Sequence, residues 1–316
     1  MAKLKLDDIE EPTQPTQQLE PEEIIPAGYF PIETLPSKFK LYPKGTKIYS
    51  RPLKILEVKQ LSMIDESNFN SVINTVLSKT VKGIDIQDLV VADKLFIIFW
   101  QRANTYKGDA FSIDLDCDKC GSKVKYNFDV SQLVITDVSD DYDADKIFTL
   151  PECKATVKFE QMTVKSEKNA DSYLKGNKGA DDDMVAIAAV LTSIDDKPCS
   201  IDYKYKWLID LSVADIMFLT HVYHKEEISL NPMLEIECPS CGGKAETPTS
   251  FYPNIKLNDI LTLQYRLSQA VSIPPPLSDN MEYYEAIFYY DMYRSEREAQ
   301  EAQQNPGMMD VAGLMQ

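Results

Sequence analysis

The chain has 316 residues, room for two modest domains with tails, and its 44% hydrophobic content can fill real cores. The 50 acidic and 33 basic side chains leave a net charge of −17. That balance disfavours nucleic acid as a partner, since phosphates must be met by clustered Lys and Arg, and suits solubility or docking to a basic protein surface. No apolar run approaches the ~20 residues that span a bilayer, and the first eight residues lack the apolar core of a secretory signal. The six cysteines are therefore expected in a reducing compartment, where close pairs ligate metals or do redox chemistry more often than they form disulfides.

Residues 1–28 are rich in Pro, Gln and Glu and read as an arm without a core. A first module is expected over 29–135. It opens with Leu35-Pro-Ser37 and continues through Gly45–Leu53, a strand leading into a helix. Phe69, Val72, Ile73, Val76 and Leu77 then follow the helical stripe spacing, and Leu95, Phe96, Phe99 and Trp100 repeat a shorter form of it. The alternating Phe111–Asp116 predicts a half-buried strand, directly followed by Cys117-Asp-Lys-Cys-Gly-Ser-Lys123.

A second module is expected over 145–255. It starts with Leu150-Pro-Glu152 and a strand over Ala155–Met162, with Met162 opposite Leu53. Lys175–Asp183 reads as an exposed loop whose three aspartates form a solvated charge run. Ser212 and Asp215 resemble a capping box for a helix carrying Ile216, Met217, Leu219 and His221. Alternating Met233–Glu237 leads into Cys238-Pro-Ser-Cys-Gly-Gly-Lys244. Two helices, Ile260–Val271 and about Asn280–Gln303, flank the breaker Pro274-Pro-Pro276 within residues 256–304, and 305–316 reads as a loose tail.

The two modules read as copies. Asp88-Leu-Val-Val-Ala-Asp93 and Asp210-Leu-Ser-Val-Ala-Asp215 agree at five of six positions at an offset of 122, and the cysteine segments agree at four of seven at an offset of 121. The strands before the cysteines fall in the same order. The expected fold class is α+β: two tandem related modules of strand, helices, strand and knuckle, joined around one four-cysteine zinc site, plus C-terminal helices.

Each Cys-x-x-Cys places two thiolates on one tight turn, and Gly121 and Gly242 let the backbone curl by adopting positive φ. Cys117, Cys120, Cys238 and Cys241 would together complete one structural Zn2+ site per chain if the copies pack with pseudo-twofold symmetry. Zinc shared between chains, or completed by Cys153 or Cys199, is the alternative. A thiol oxidoreductase fits less well, because a Gly-rich turn rather than a helix follows each pair. Four thiolates leave no open position for catalytic zinc. Cys153 and Cys199 are expected to be small buried apolar residues, and His221 and His224 are not needed as ligands. Asp93 and Asp215 are expected to serve the N–H groups and dipole at their helix starts. No nucleophile elbow, phosphate loop, dinucleotide glycine pattern or zincin motif is present, so no catalytic residue is assigned. On the last helix Met281, Tyr284, Phe288 and Met292 share a face widened by Tyr283, Ile287 and Tyr290. It either packs on its own domain or presents Tyr284, Phe288 and Met292 to a partner.

The run Leu35-Pro-Ser-Lys-Phe-Lys-Leu-Tyr-Pro-Lys-Gly-Thr-Lys-Ile-Tyr-Ser-Arg-Pro-Leu53 resembles the start of baseplate hub proteins of T-even-type contractile-tailed phages. In that family a Leu-Pro-Ser segment, a Tyr-Pro-x-Gly turn and an Arg-Pro-Leu strand end precede helices and a Cys-x-x-Cys-Gly turn. The resemblance implies a structural, non-enzymatic hub or hub-assembly protein, with other baseplate hub proteins and the tape-measure protein as partners. It would act in the host cytoplasm during assembly and reside in the virion tail baseplate. The terminal helices are also similar to those of tail-assembly chaperones, which implies a transient tape-measure chaperone as the alternative. A zinc-ribbon regulatory protein is a third reading, and requires a basic face that the composition does not show.

Overall fold

The computed structural model describes residues 25–65, 67–106, 112–127, 133–231, 233–248 and 255–304. Most of the expected N-terminal arm and all of the C-terminal tail lie outside these residues. The first half runs β1 (Phe30–Pro31), β2 (Tyr49–Ser50), α1 (Ile55–Leu61), α2 (Phe69–Thr80), β3 (Val81–Lys82), a 3-10 turn, α3 (Val91–Tyr106), β4 (Ser112–Asp116) and β5 (Lys123–Asn127). A short β6 (Val134–Thr136) bridges to the second half. There follow β7 (Ile147–Thr149), β8 (Thr156–Phe159), α4 (Val164–Gly176), α5 (Asp182–Val190), β9 (Leu191–Ile194), β10 (Lys197–Pro198), α6 (Ile201–Ile209), α7 (Val213–Glu226), β11 (Ser229–Asn231), β12 (Met233–Glu237) and β13 (Lys244–Pro248). The chain closes with α8 (Leu257–Ala270), α9 (Pro275–Ser278) and α10 (Tyr283–Gln304).

Both halves fold their opening segments alike. A strand enters a helix pair, and the second helix passes without a turn into a strand that returns antiparallel to the first: β2 with β3, β8 with β9. Leu53 and Met162 hold the same place, each one residue before the N-cap of the helix that follows its strand. The caps differ in chemistry. At α1 the Lys54 N–H donates to Glu57 Oε2 at 2.8 Å, and the same carboxylate takes Arg51 through both guanidinium nitrogens at 3.0 and 3.2 Å. At α4, Thr163 and Ser166 cap each other, the Thr163 N–H donating to Ser166 Oγ at 2.7 Å.

The expected loop over Lys175–Asp183 is instead the end of α4, a short turn and the start of α5. Asp181 caps that helix by accepting the Met184 N–H at 3.0 Å, with Asp182 and Asp183 in the first turn. The aspartates therefore meet the unsatisfied N–H groups and positive end of a helix, which a reading of charge alone misses.

Apolar side chains collect in three clusters. The largest holds Leu53 and, from α1–α3, Ile55, Leu77, Ile97 and Ile98, and α8 and α10 return to close it with Ile260, Leu263, Leu267 and Ala286. A second lies within the second half, around Val157, Leu191, Leu208 and Leu219. The third is a seam: Phe99 of α3 packs with Leu230, Leu234 and Ile236 of the second half, beside the antiparallel pairing of β6 with β11. On α10, Tyr283, Ile287 and Tyr290 face the first core, while Tyr284, Phe288 and Met292 are exposed. The single aromatic face expected from the sequence is thus two faces, one packed and one open.

Candidate metal centre

Each cysteine pair sits in the loop of a two-stranded hairpin. β4 pairs with β5 in a register ending at Asp116↔Lys123, and β12 with β13 in one ending at Glu237↔Lys244. Both loops are six residues, 117–122 and 238–243, and both close identically. The first cysteine's N–H donates across the loop (Cys117 to Ser122 O, 2.9 Å; Cys238 to Gly243 O, 2.8 Å), and the glycine N–H returns to the first cysteine's carbonyl (Gly121, 2.7 Å; Gly242, 2.8 Å). The glycines stand at φ +69° and +67°, where a side chain would be strained. The strands before the cysteines were legible by alternation. Those after them, β5 and β13, were not assigned, although Lys123-Val-Lys-Tyr126 alternates equally well.

The two loops meet. Gly243 lies so close to the other knuckle that a Cβ there would come within 2.7 Å of Lys119 Cδ. All four sulfurs fall within 4.8 Å of one another. Cys117 Sγ is 3.8 Å from Cys241 Sγ, and Cys120 Sγ is 3.8 Å from Cys238 Sγ. Thiolates about 2.3 Å from a tetrahedral zinc have sulfurs ~3.8 Å apart, so the donor set and its spacing fit such an ion. The two distances across the knuckles are equal. Ser122, given no role by the sequence reading, places its hydroxyl 3.0 Å from Cys120 Sγ and 3.5 Å from Cys238 Sγ. That hydroxyl is the main influence drawing both thiols down, Cys238 to about 6. Cys241 is pushed up to about 12 in spite of the Gly243 backbone hydrogen bond, because Cys120 and the other crowded sulfurs oppose its charge. Sulfurs this close cannot all ionise without a cation between them.

The other candidates stand apart. Cys153 is exposed and Cys199 half-buried, so neither is the buried apolar residue expected. Cys153 lies on a turn, and Cys199 stands just before the Ser200 N-cap of α6, its Sγ donating to Lys197 O at 3.4 Å. His224 faces Glu227 at 3.5 Å, and neither histidine joins the cysteine group.

The repeated aspartates do something the sequence did not show. Asp93 is fully buried and accepts the Ser37 N–H at 2.9 Å and the Tyr42 hydroxyl at 2.5 Å. Asp215, 1% exposed, accepts the N–H groups of Glu152 at 2.8 Å and Cys153 at 3.1 Å. Each therefore clamps the residue after a Leu-Pro pair far away in the chain, rather than capping its own helix. At α7 the cap is Ser212, which accepts the Asp215 N–H at 3.2 Å.

The described residues thus form two like-ordered halves brought together at a cluster of four thiols. The chain matches the family described as T4 bacteriophage base plate protein over residues 33–254, well over half of its 316 residues. It belongs to that family. No curated protein and no solved structure matches it. Among the described residues no helix is long and apolar enough to cross a membrane.

Proposed function

We propose that the protein is a non-enzymatic baseplate hub or hub-assembly component, built by internal duplication, in which Cys117, Cys120, Cys238 and Cys241 hold one structural zinc per chain. The observation that carries this reading is the meeting of two identically closed knuckles, each only half a ligand set, at tetrahedral sulfur spacing. Duplication is further supported by the two aspartate clamps on Leu-Pro-x segments and by the matched places of Leu53 and Met162. Module boundaries at 29–135 and 145–255 follow from it.

Zinc would fix the halves together by neutralising four crowded thiolates, and because no unfolded chain presents that site, its binding energy is folding energy. Purified protein should carry one zinc per chain, and Cys117→Ser with Cys241→Ser should lose both the metal and cooperative unfolding. Metal-free protein that folds equally well would refute the staple.

Partners on this reading are other hub proteins and the tape-measure protein, met in the host cytoplasm and retained in the virion tail baseplate. The exposed Tyr284, Phe288 and Met292 on α10 are the proposed partner-facing residues. That open aromatic face is also the observation favouring a transient tape-measure chaperone. Mass spectrometry of mature particles separates the two: presence marks a hub subunit, absence a chaperone.

A further inference from the structure

One backbone joint occurs twice in this chain. In the first, the Val91 N–H donates to Met162 O at 2.8 Å and the Val164 N–H to Leu89 O at 2.9 Å, pairing Val90 before α3 with Thr163 before α4. In the second, the Tyr283 N–H donates to Leu53 O at 3.0 Å and the Ile55 N–H to Met281 O at 3.0 Å, pairing Glu282 before α10 with Lys54 before α1. Since α1 and α4 hold equivalent places, α3 and α10 play one role against them. Beside the joints Ala92, two places after Val90, is 3% exposed, and Ala286, four places after Glu282 and so at the place of the buried Lys94, is fully buried.

The residues on the α3 side of this joint recur at the start of α7, where Leu211, Ser212 and Val213 stand 122 positions after Leu89, Val90 and Val91. There the joint is unmade. Among the described residues no backbone group hydrogen-bonds the Val213 N–H or the Leu211 carbonyl. Val213 is 75% and Met217 68% exposed, whereas their counterparts Val91 and Leu95 are half-buried. Ala214 is exposed where Ala92 is buried, yet Asp215 is as buried as Asp93. The helix is therefore set in place as in the first module, and only its outward face lacks a neighbour.

We infer that Leu211–Met217 is a docking surface for a different protein chain, which supplies an extended residue at the start of an α-helix and repeats the joint a third time. A second copy of this chain is not the occupant, because both of its matching edges, at Lys54 and Thr163, are already filled. The chemistry of the occupant can be read from the two internal cases. One place before its bridging residue it carries an apolar side chain, as Leu53 and Met162 do. Four places after, the first joint has Glu167 against the buried Lys94, and the second has Val58, buried in the same core cluster as Ala286. At α7 the place of Lys94 is taken by Ile216, so the partner is apolar there, not acidic.

The inference rests on the equivalence of the two modules. It is tested with the full chain carrying p-benzoylphenylalanine in place of Met217, photocrosslinked in phage-infected cells and mapped by mass spectrometry. The expected product joins position 217 to another phage tail protein within a few residues of a helix start. Adding Val213→Asp should cut its yield about tenfold, the scale of a carboxylate forced into an apolar contact, with zinc content and thermal midpoint unchanged. A crosslink to a second copy of this chain, no crosslink to any protein, or a yield indifferent to Val213→Asp would each overturn the docking surface. Zinc content in the same preparation reports on the staple independently, so the two readings fail separately.

Discussion

Asp93 and Asp215 occupy equivalent places, yet their environments push them in opposite directions. Burial raises the Asp93 carboxyl above the ordinary carboxylate range, more strongly than the hydrogen bonds from Ser37 and Tyr42 lower it. Burial acts the same way on Asp215, but there the Glu152 and Cys153 N–H groups outweigh it and hold the carboxyl low. The linked effects on stability differ in sign. Asp215 stabilises the fold above the usual carboxylate pKa, and that contribution is lost as pH falls through its depressed folded value. Asp93 is most favourable when protonated, so its contribution declines as pH rises from the usual value to its elevated one. In urea titrations across acid pH, Asp215→Asn should therefore remove part of the acid-side loss, and Asp93→Asn should steepen it. Asp93→Ala leaves the buried Ser37 N–H and Tyr42 hydroxyl without an acceptor and should cost about 3 kcal/mol by chemical denaturation. The repetition of these aspartates was legible in the sequence. Their partners were not, because 56 and 63 residues separate them from the N–H groups they hold, and no local rule reports a contact at that distance.

At the scale of elements, the helix stripes, the strands before the cysteines and the terminal helices could be read from periodicity, since each buries one face. Two features could not. The turn between α4 and α5 hides within a polar run whose aspartates serve a helix end, and α10 spreads its aromatics over a packed and an open face that one-dimensional spacing merges. The knuckles were legible because their chemistry is local: two cysteines, then a glycine at positive φ. Gly242→Val places a β-branched residue at φ +67° and should strain the loop by roughly 1–2 kcal/mol. Competition with a chromogenic chelator should show that cost as a several-fold loss of metal affinity, while a substitution at exposed Lys119 should leave affinity nearly unchanged.

For the whole molecule, the sequence foretold that the halves meet at the cysteines and left open how. The two knuckles meet through equal 3.8 Å sulfur contacts, but the helix starts of the two halves are placed differently. The first half offers its α3 start to the second, the second offers its α7 start to nothing among the described residues, and α10 closes the first half's own edge. Packing is thus head-to-tail around the cysteine cluster, and the α7 start is the joint proposed to take a partner. The cluster is the feature on which the proposed role most depends, and metal analysis combined with unfolding tests it most directly. Protein purified without added metal should contain one zinc per chain, and stripping it with a strong chelator should abolish the single cooperative unfolding transition, with zinc alone restoring it. Zinc-free protein that unfolds in the same single transition, or a stoichiometry of one zinc per two chains, would contradict it.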